Sequence, residues 1–222
     1  VAGTQGDGAT QTRLDRRKAR TRAALIAAAR DILADQGQAE VSIQAITDAA
    51  DVGFGSFYNH FQSKAELFDA AIAETLAEHT ALINRATSAL DDPAEVFAAS
   101  LRLTVRLRRT HPQMARILLK TGLSYVTGQD GMAASALRDI EAARDAGRFT
   151  VDDPLIALAC AAGALLGLLQ LLETFPDMDM DAATASLTVN VLRMFGMDAQ
   201  EAHRIAALPL APLQPETGAR SS

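Results

Sequence analysis

A chain of 222 residues can bury a substantial core, as one large domain or two unequal ones, and its 49% apolar but only 5% aromatic content leaves alanine and leucine to supply that core. Both are helix formers, and runs of β-branched residues with period-two alternation are hard to find, so the expected fold class is all-α. The net charge of −6 argues against a nucleic-acid partner met over the whole surface, and the single cysteine, Cys160, excludes an internal disulfide and suits a reducing, cytoplasmic setting.

The charge is unevenly placed. Arg13, Arg16, Arg17, Lys18, Arg20, Arg22 and Arg30 stand against Asp15 alone over residues 13–30, a net of +6, which leaves −12 for the rest of the chain. A basic end on an acidic body implies a polyanion met at that end only; the plainer alternative is a solvated charge run. Residues 1–12, rich in Gly, Thr and Gln and without an apolar signal core, read as a disordered tail.

In chain order, the spacing of Leu25, Ile26, Ala29, Ile32 and Leu33 predicts a first helix from about residue 15 to 36, stopped by Gly37. Its basic residues crowd the predicted helix start, where cations oppose the helix dipole; that placement favours an external reason such as phosphate contact. Ser42 is an N-cap candidate for a short helix to residue 50, with Ile43 and Ile46 facing inward. Asp51-Val52-Gly53 reads as a tight turn into a second short helix, Phe54 to about His60. Ser63 then caps a long helix over residues 64–90. Two short helices joined by such a turn form a helix-turn-helix that must lean on the first helix, because neither is stable alone. Further helices are expected at 93–110, 112–120, 132–146, 154–174, 181–195 and 198–208. Pro209, Pro212 and Pro215 mark a disordered tail. The expected division is a 1–12 tail, a 13–63 helix-turn-helix domain, a 64–208 helical domain and a 209–222 tail.

The segment Ser42–Leu67, above all the run Phe57-Tyr58-Asn59-His60-Phe61-Gln62-Ser63-Lys64, closely resembles the DNA-binding segment of the TetR (tetracycline-repressor) family. The helix from Arg20 through Gly37 looks like that family's first helix. This sequence departs from the family in having Asp51 where glycine is usual in the turn, and Gly53 where Ser or Thr often precedes the recognition helix. Asp tolerates left-handed backbone and Gly is an acceptable N-cap, so neither breaks the geometry. The resemblance implies an N-terminal three-helix DNA-binding domain followed by a larger helical ligand-binding and dimerisation domain. It also implies a ligand-responsive regulator, a repressor released from a palindromic operator by a small apolar molecule, with double-stranded operator DNA, an effector and a second copy as partners.

A recognition helix presents its N-terminal residues to base edges while flanking residues fix the phosphates. Gln44, Phe54, Gly55, Ser56 and Asn59 are therefore candidates for the groove floor, Gly55 leaving room for close backbone approach, with Gly53 counted beside them at the N-cap. Tyr58, His60, Thr47 and Lys64 are candidate phosphate donors. Some alternatives stay open: Phe54 contacts a thymine methyl or covers the first helix, Tyr58 is a donor or a packed core residue, and His60 touches DNA or caps its own helix. Phe57 and Phe61 are read as core.

Residues 155–172 form an uncharged run long enough to be tested as a membrane span. Asp152, Asp153 and Glu173 at its ends, without an aromatic belt or basic cluster, favour instead a helix buried on one side by its own domain and on another by a second subunit. Gly163 and Gly167 allow close backbone approach there, and with the helix at 181–195 would build a four-helix dimer interface; the family resemblance implies the same pair.

The ligand-binding candidates are Phe97, Leu101, Met114, Leu118, Tyr125 and Leu165 as apolar lining, with Ser100, Thr104, Thr121, Cys160 and Gln170 as polar fixers; ordinary core is the alternative for each. Arg102, Arg106 and Arg109 share one helix face, either solvated or facing an anionic ligand. Motifs of hydrolases, zinc proteases and di-iron enzymes are missing, and His79, His111, His203 and Cys160 are scattered singly, so neither enzyme activity nor a metal or cofactor is expected. Two other readings remain: a helical protein-protein adaptor and a ligand-free architectural DNA-binding protein.

Overall fold

The computed structural model describes residues 7–37, 41–122 and 131–213, and every regular element among them is a helix. In order these are α1 (Asp7–Asp35), α2 (Ile43–Ala49), α3 (Phe54–Phe57), α4 (Lys64–Thr87), α5 (Pro93–Thr110), α6 (Pro112–Thr121), α7 (Met132–Asp145), α8 (Pro154–Thr174), α9 (Met180–Met194) and α10 (Ala199–Ala206). They fall into two compact units, Val1–Glu74 and Thr75–Ser222. The boundary lies inside α4, not at its start as expected, because Leu67, Phe68 and Ala71 are buried core residues belonging to the first unit.

In the first unit Leu25, Ile26, Ala28, Ala29, Leu33 and Ala34 of α1 are buried, the stripe that their three- and four-residue spacing dictates. The helix starts at Asp7, two turns before the expected residue 15, so residues 7–12 are helical rather than a disordered tail. Ala9 and Gln11 favour that continuation. The basic residues consequently sit inside α1, beyond the first turn where the dipole opposes them.

Ser42 caps α2 as expected, its Oγ accepting from the Ala45 N–H at 3.1 Å. Asp51, at φ +53°, is the one non-glycine left-handed residue among those described. It closes α2 by letting Val52 N–H reach back to the Thr47 carbonyl at 3.0 Å. The α-helical part of α3 is one turn only, shorter than expected, and continues through His60 as tighter turns such as His60 N–H to the Phe57 carbonyl at 2.9 Å.

Aspartates cap four helices of the second unit. Asp92, Asp153, Asp179 and Asp198 each accept a backbone N–H in the first turn of α5, α8, α9 and α10, at 2.8 to 3.0 Å. Such caps contribute about 1 kcal/mol each. Its main core joins α5, α7, α8, α9 and α10, with the rings of Phe97, Phe149 and Phe195 mutually 5.1 to 5.8 Å apart. Gly196, at φ +85°, ends α9 where a Cβ would overlap the Thr150 hydroxyl. A second cluster joins Ile83 of α4, Leu103 and Leu107 of α5 and Met114 and Leu118 of α6 to Leu213. Leu210 packs against it too, so residues 209–213 are not the disordered tail expected from the prolines; the apolar residues between the prolines give this stretch a surface to cover.

Candidate functional site

The head displays most of its candidate residues. Tyr58 is 55% exposed and Phe54 46%, their rings in edge contact at 5.9 Å, which removes the packed-core alternative for Tyr58. Beneath them Phe57 and Phe61 are buried, as expected. Gln44, Gly53, Gly55 and Asn59 are exposed and Ser56 half-buried. Gln44 Nε2 donates to Asp48 Oδ1 at 2.7 Å, which orients the amide and leaves it one N–H and its carbonyl oxygen. A Cβ at Gly55 would meet nothing within 4 Å, so the space beside it is free.

Positive charge comes from α1. Residues 13–20 are exposed throughout, and the Arg22 guanidinium lies over the Phe61 ring at 5.4 Å while donating to Glu74 at 2.7 Å. Partial burial, then Lys18 and Arg22, hold the His60 pKa below its ordinary value, so its ring is neutral at pH 7 and offers an N–H rather than a charge.

Two candidate phosphate donors are otherwise engaged. Thr47 is fully buried and its hydroxyl donates to the Gln44 carbonyl at 2.9 Å; we drop it from the donor set, because its helix position turns it into the core. Lys64 is half-buried with Nζ donating to the Val41 carbonyl at 2.9 Å, so it ties the start of α4 to the residue before α2. One N–H in the first turn of α4 is taken as well: Ser63 Oγ accepts from Glu66 N–H at 3.2 Å, and the Glu66 carboxylate in return accepts from Gln62 N–H at 2.6 Å.

The second unit holds a cavity of about 70 Å³ between α4, α5, α7 and α8. Phe97, Leu101 and Leu165 line it as expected, with Ser100 and Thr104. Met114 and Leu118 do not; they face the second cluster, since helical spacing fixes that a residue is buried but not in which layer. Cys160 and Gln170 are exposed on the outer side of α8, Gln170 bonding Thr174 at 3.3 Å, and neither lines the cavity. Tyr125 lies outside the described residues. Arg109 pairs with Asp181 at 3.1 Å and Arg108 with Glu173 at 2.6 Å, so the outer face of α5 bonds its own domain.

Sequence reasoning missed the most polar part of this wall. His79 of α4 is buried, its Nε2 2.9 Å from Thr104 Oγ1, and burial lowers its pKa to about 4. Asp139 of α7 also lines the cavity, its pKa raised by burial to about 6 against the opposing charge of Arg138. A signal for His79 existed: Leu76, His79 and Ile83 share the inward stripe of α4, and a histidine on such a stripe needs a partner.

Residues 25–71 match the family model described as bacterial regulatory proteins, tetR family, and residues 92–208 match the one described as tetracyclin repressor-like, C-terminal domain. The chain belongs to the TetR family. This TetR-family protein is a DNA-binding transcription regulator with a helix-turn-helix and a helical ligand-binding domain. Among solved structures it is similar to RolR in complex with resorcinol, at 31% identity over 90% of this chain and 100% of that one, TM-score 0.71. RolR without ligand gives 0.66 at the same identity, over 86% of this chain and 100% of that one. A regulator from Shewanella sp. PV-4, described as tetR family, shares the fold at 15% identity and TM-score 0.70, over 78% and 97% of the two chains. SmeT, repressor of the Stenotrophomonas maltophilia multidrug efflux pump SmeDEF, shares it at 19% and 0.58, over 78% and 89%. No curated protein sequence gives a significant match.

The outer side of α8 in this TetR-family chain is apolar and uncovered. Leu155, Ile156, Leu171 and Phe175 are 46 to 61% exposed, and a Cβ at Gly163 or Gly167 would touch nothing. The helix is long and apolar enough to cross a membrane, but eight of its residues, from Ala157 to Leu172, are buried in the unit's own core.

Proposed function

We propose that the protein is a ligand-responsive repressor: a homodimer that holds a palindromic operator through its two heads and releases it when a small, largely apolar molecule occupies the cavity. The observation that carries this reading is α4. One uninterrupted helix begins at the capped Ser63-Lys64 step, directly after the recognition turns, and supplies His79, Thr80 and Ile83 to the cavity wall. The same helix carries Lys64 in its first turn, so a ligand that shifts His79 acts on an element that the head shares. RolR, whose ligand is resorcinol, supports a small-molecule effector.

In this reading Gln44, Phe54, Gly55, Ser56 and Asn59 face base edges, with Gly53 at the cap of the recognition helix. Tyr58, His60 and the exposed basic residues of α1 face phosphates, and Lys64 positions the head. The second copy covers the apolar outer stripe of α8 together with α9, where Gly167 and Leu171 flank Leu187 in one open groove.

Selection of duplexes from a random pool by the purified protein tests the reading. Inverted repeats with half-sites one helical turn apart, roughly 34–36 Å, are expected. Failure to enrich any duplex would favour a helical adaptor instead.

A further inference from the structure

The wall of the cavity constrains the chemistry of what fills it. Thr104 donates its hydroxyl proton to the Ser100 carbonyl at 2.8 Å. With that bond kept, Thr104 meets His79 Nε2, 2.9 Å away, as an acceptor, an arrangement that assigns the imidazole proton to Nε2. Nδ1 is then a bare lone pair, buried and without a partner among the described residues. Most hydroxyl donors of the wall are committed to the protein: Ser100 to the Val96 carbonyl at 2.8 Å, Thr80 to the Leu76 carbonyl at 2.9 Å and Ser135 to Asn84 Oδ1 at 3.4 Å. The Asn84 amide is a neutral donor, and Asp139 is a carboxylate. No lysine or arginine is among the described residues of the wall, whose apolar part is aliphatic, with Phe97 and Met132.

We propose that the effector is a neutral, single-ring molecule bearing a hydroxyl group, which it donates to Nδ1 of His79. The proposal rests on the reading of this cavity as the effector site and adds to it a donor requirement and an exclusion of anions. A carboxylate entering the cavity would face the Nδ1 lone pair and Asp139 with no cation to receive it. A hydrocarbon would leave Nδ1 unpaired, the costly case for a buried polar atom. At about 70 Å³ the cavity is smaller than the roughly 150 Å³ of an engineered cavity that accepts benzene, so a single ring enters with modest widening and a larger frame does not.

The experiment compares phenol, toluene and benzoate on the full chain by calorimetry, with the imidazole nitrogens followed by 15N NMR. Phenol and toluene match in shape, and toluene is the more hydrophobic, so a merely apolar cavity prefers toluene. Phenol is expected to bind about tenfold or more tighter than toluene and to shift the unprotonated Nδ1 resonance, with benzoate weaker than either. In His79→Phe the phenol preference should vanish; should that variant fail to fold, the wild-type comparison decides alone. Toluene binding as tightly as phenol, or a free protein with its proton on Nδ1, would overturn the donor assignment while leaving the cavity as a ligand site. Binding of none of the three would overturn the donor assignment together with the reading of this cavity as the site for a single-ring effector.

Discussion

The ammonium of Lys64 lies 2.9 Å from the carbonyl oxygen of Val41, so a side chain positioned by sequence for a phosphate is spent on the backbone that leads into α2. Lys64→Met leaves that carbonyl without its partner and should lower stability by about 1 kcal/mol. Because the bond sets where the head begins rather than which bases it reads, binding should weaken alike for all duplexes. Urea unfolding and duplex titrations check this; an altered base preference would show that Lys64 reads sequence.

Gly55→Ala separates folding from recognition. Nothing in the free protein lies where the new methyl would sit, and alanine gains up to about 1 kcal/mol of helix propensity over glycine, so stability should hold or rise. Affinity for the selected duplex should nevertheless fall several-fold, because the proposed docking brings the groove floor against that position. Unchanged affinity in a band-shift titration would place Gly55 away from DNA.

The same contrast applies to Gly167→Leu, whose Cβ also meets nothing within 4 Å in one copy and whose position opens onto the groove beside Leu187. Helix content should be retained while the dimer dissociates, as read by circular dichroism and sedimentation velocity at micromolar concentration. A variant that remains a dimer would remove α8 from the interface.

His79 and Asp139 give the second unit opposed pH dependences. His79 has a folded pKa of about 4, below its ordinary 6.5, so its contribution is complete above pH 6.5 and lost as pH falls toward 4, roughly 3 kcal/mol in all. Asp139, raised from 3.8 to about 6, works the other way: stability falls as pH rises from 3.8 to 6, as the buried carboxyl ionises. Asp139→Asn should therefore be more stable than wild type at pH 7 and lose stability more steeply between pH 6.5 and 4. Urea midpoints across that range check both signs; parallel curves would contradict the Asp139 assignment.

Helix limits were legible wherever a side chain makes the cap. Ser42, Asp92, Asp153 and Asp198 announce their helices and hold them by the bonds their types require. The start of α1 was not, because the Gly and Thr near Asp7 look like a tail. The buried stripe of α5 was visible, yet its two layers were not: Leu101 faces the cavity while Leu103 and Leu107 face α6, a choice made by the path of α6 and α7. Cys160 and Gln170 looked like pocket groups only because the apolar run of α8 hides which side is outward. His79 was discounted as a scattered histidine, since its partner Thr104 is twenty-five residues away in sequence and meets it only once α4 and α5 pack.

The affinity of the purified protein for its selected duplex, measured between 50 and 200 mM salt, tests most directly that the basic α1 and the recognition turns of two heads grip operator phosphates. With six or more phosphates neutralised, affinity should fall by about 10³-fold or more over that range. An affinity that stays flat across it would contradict the account.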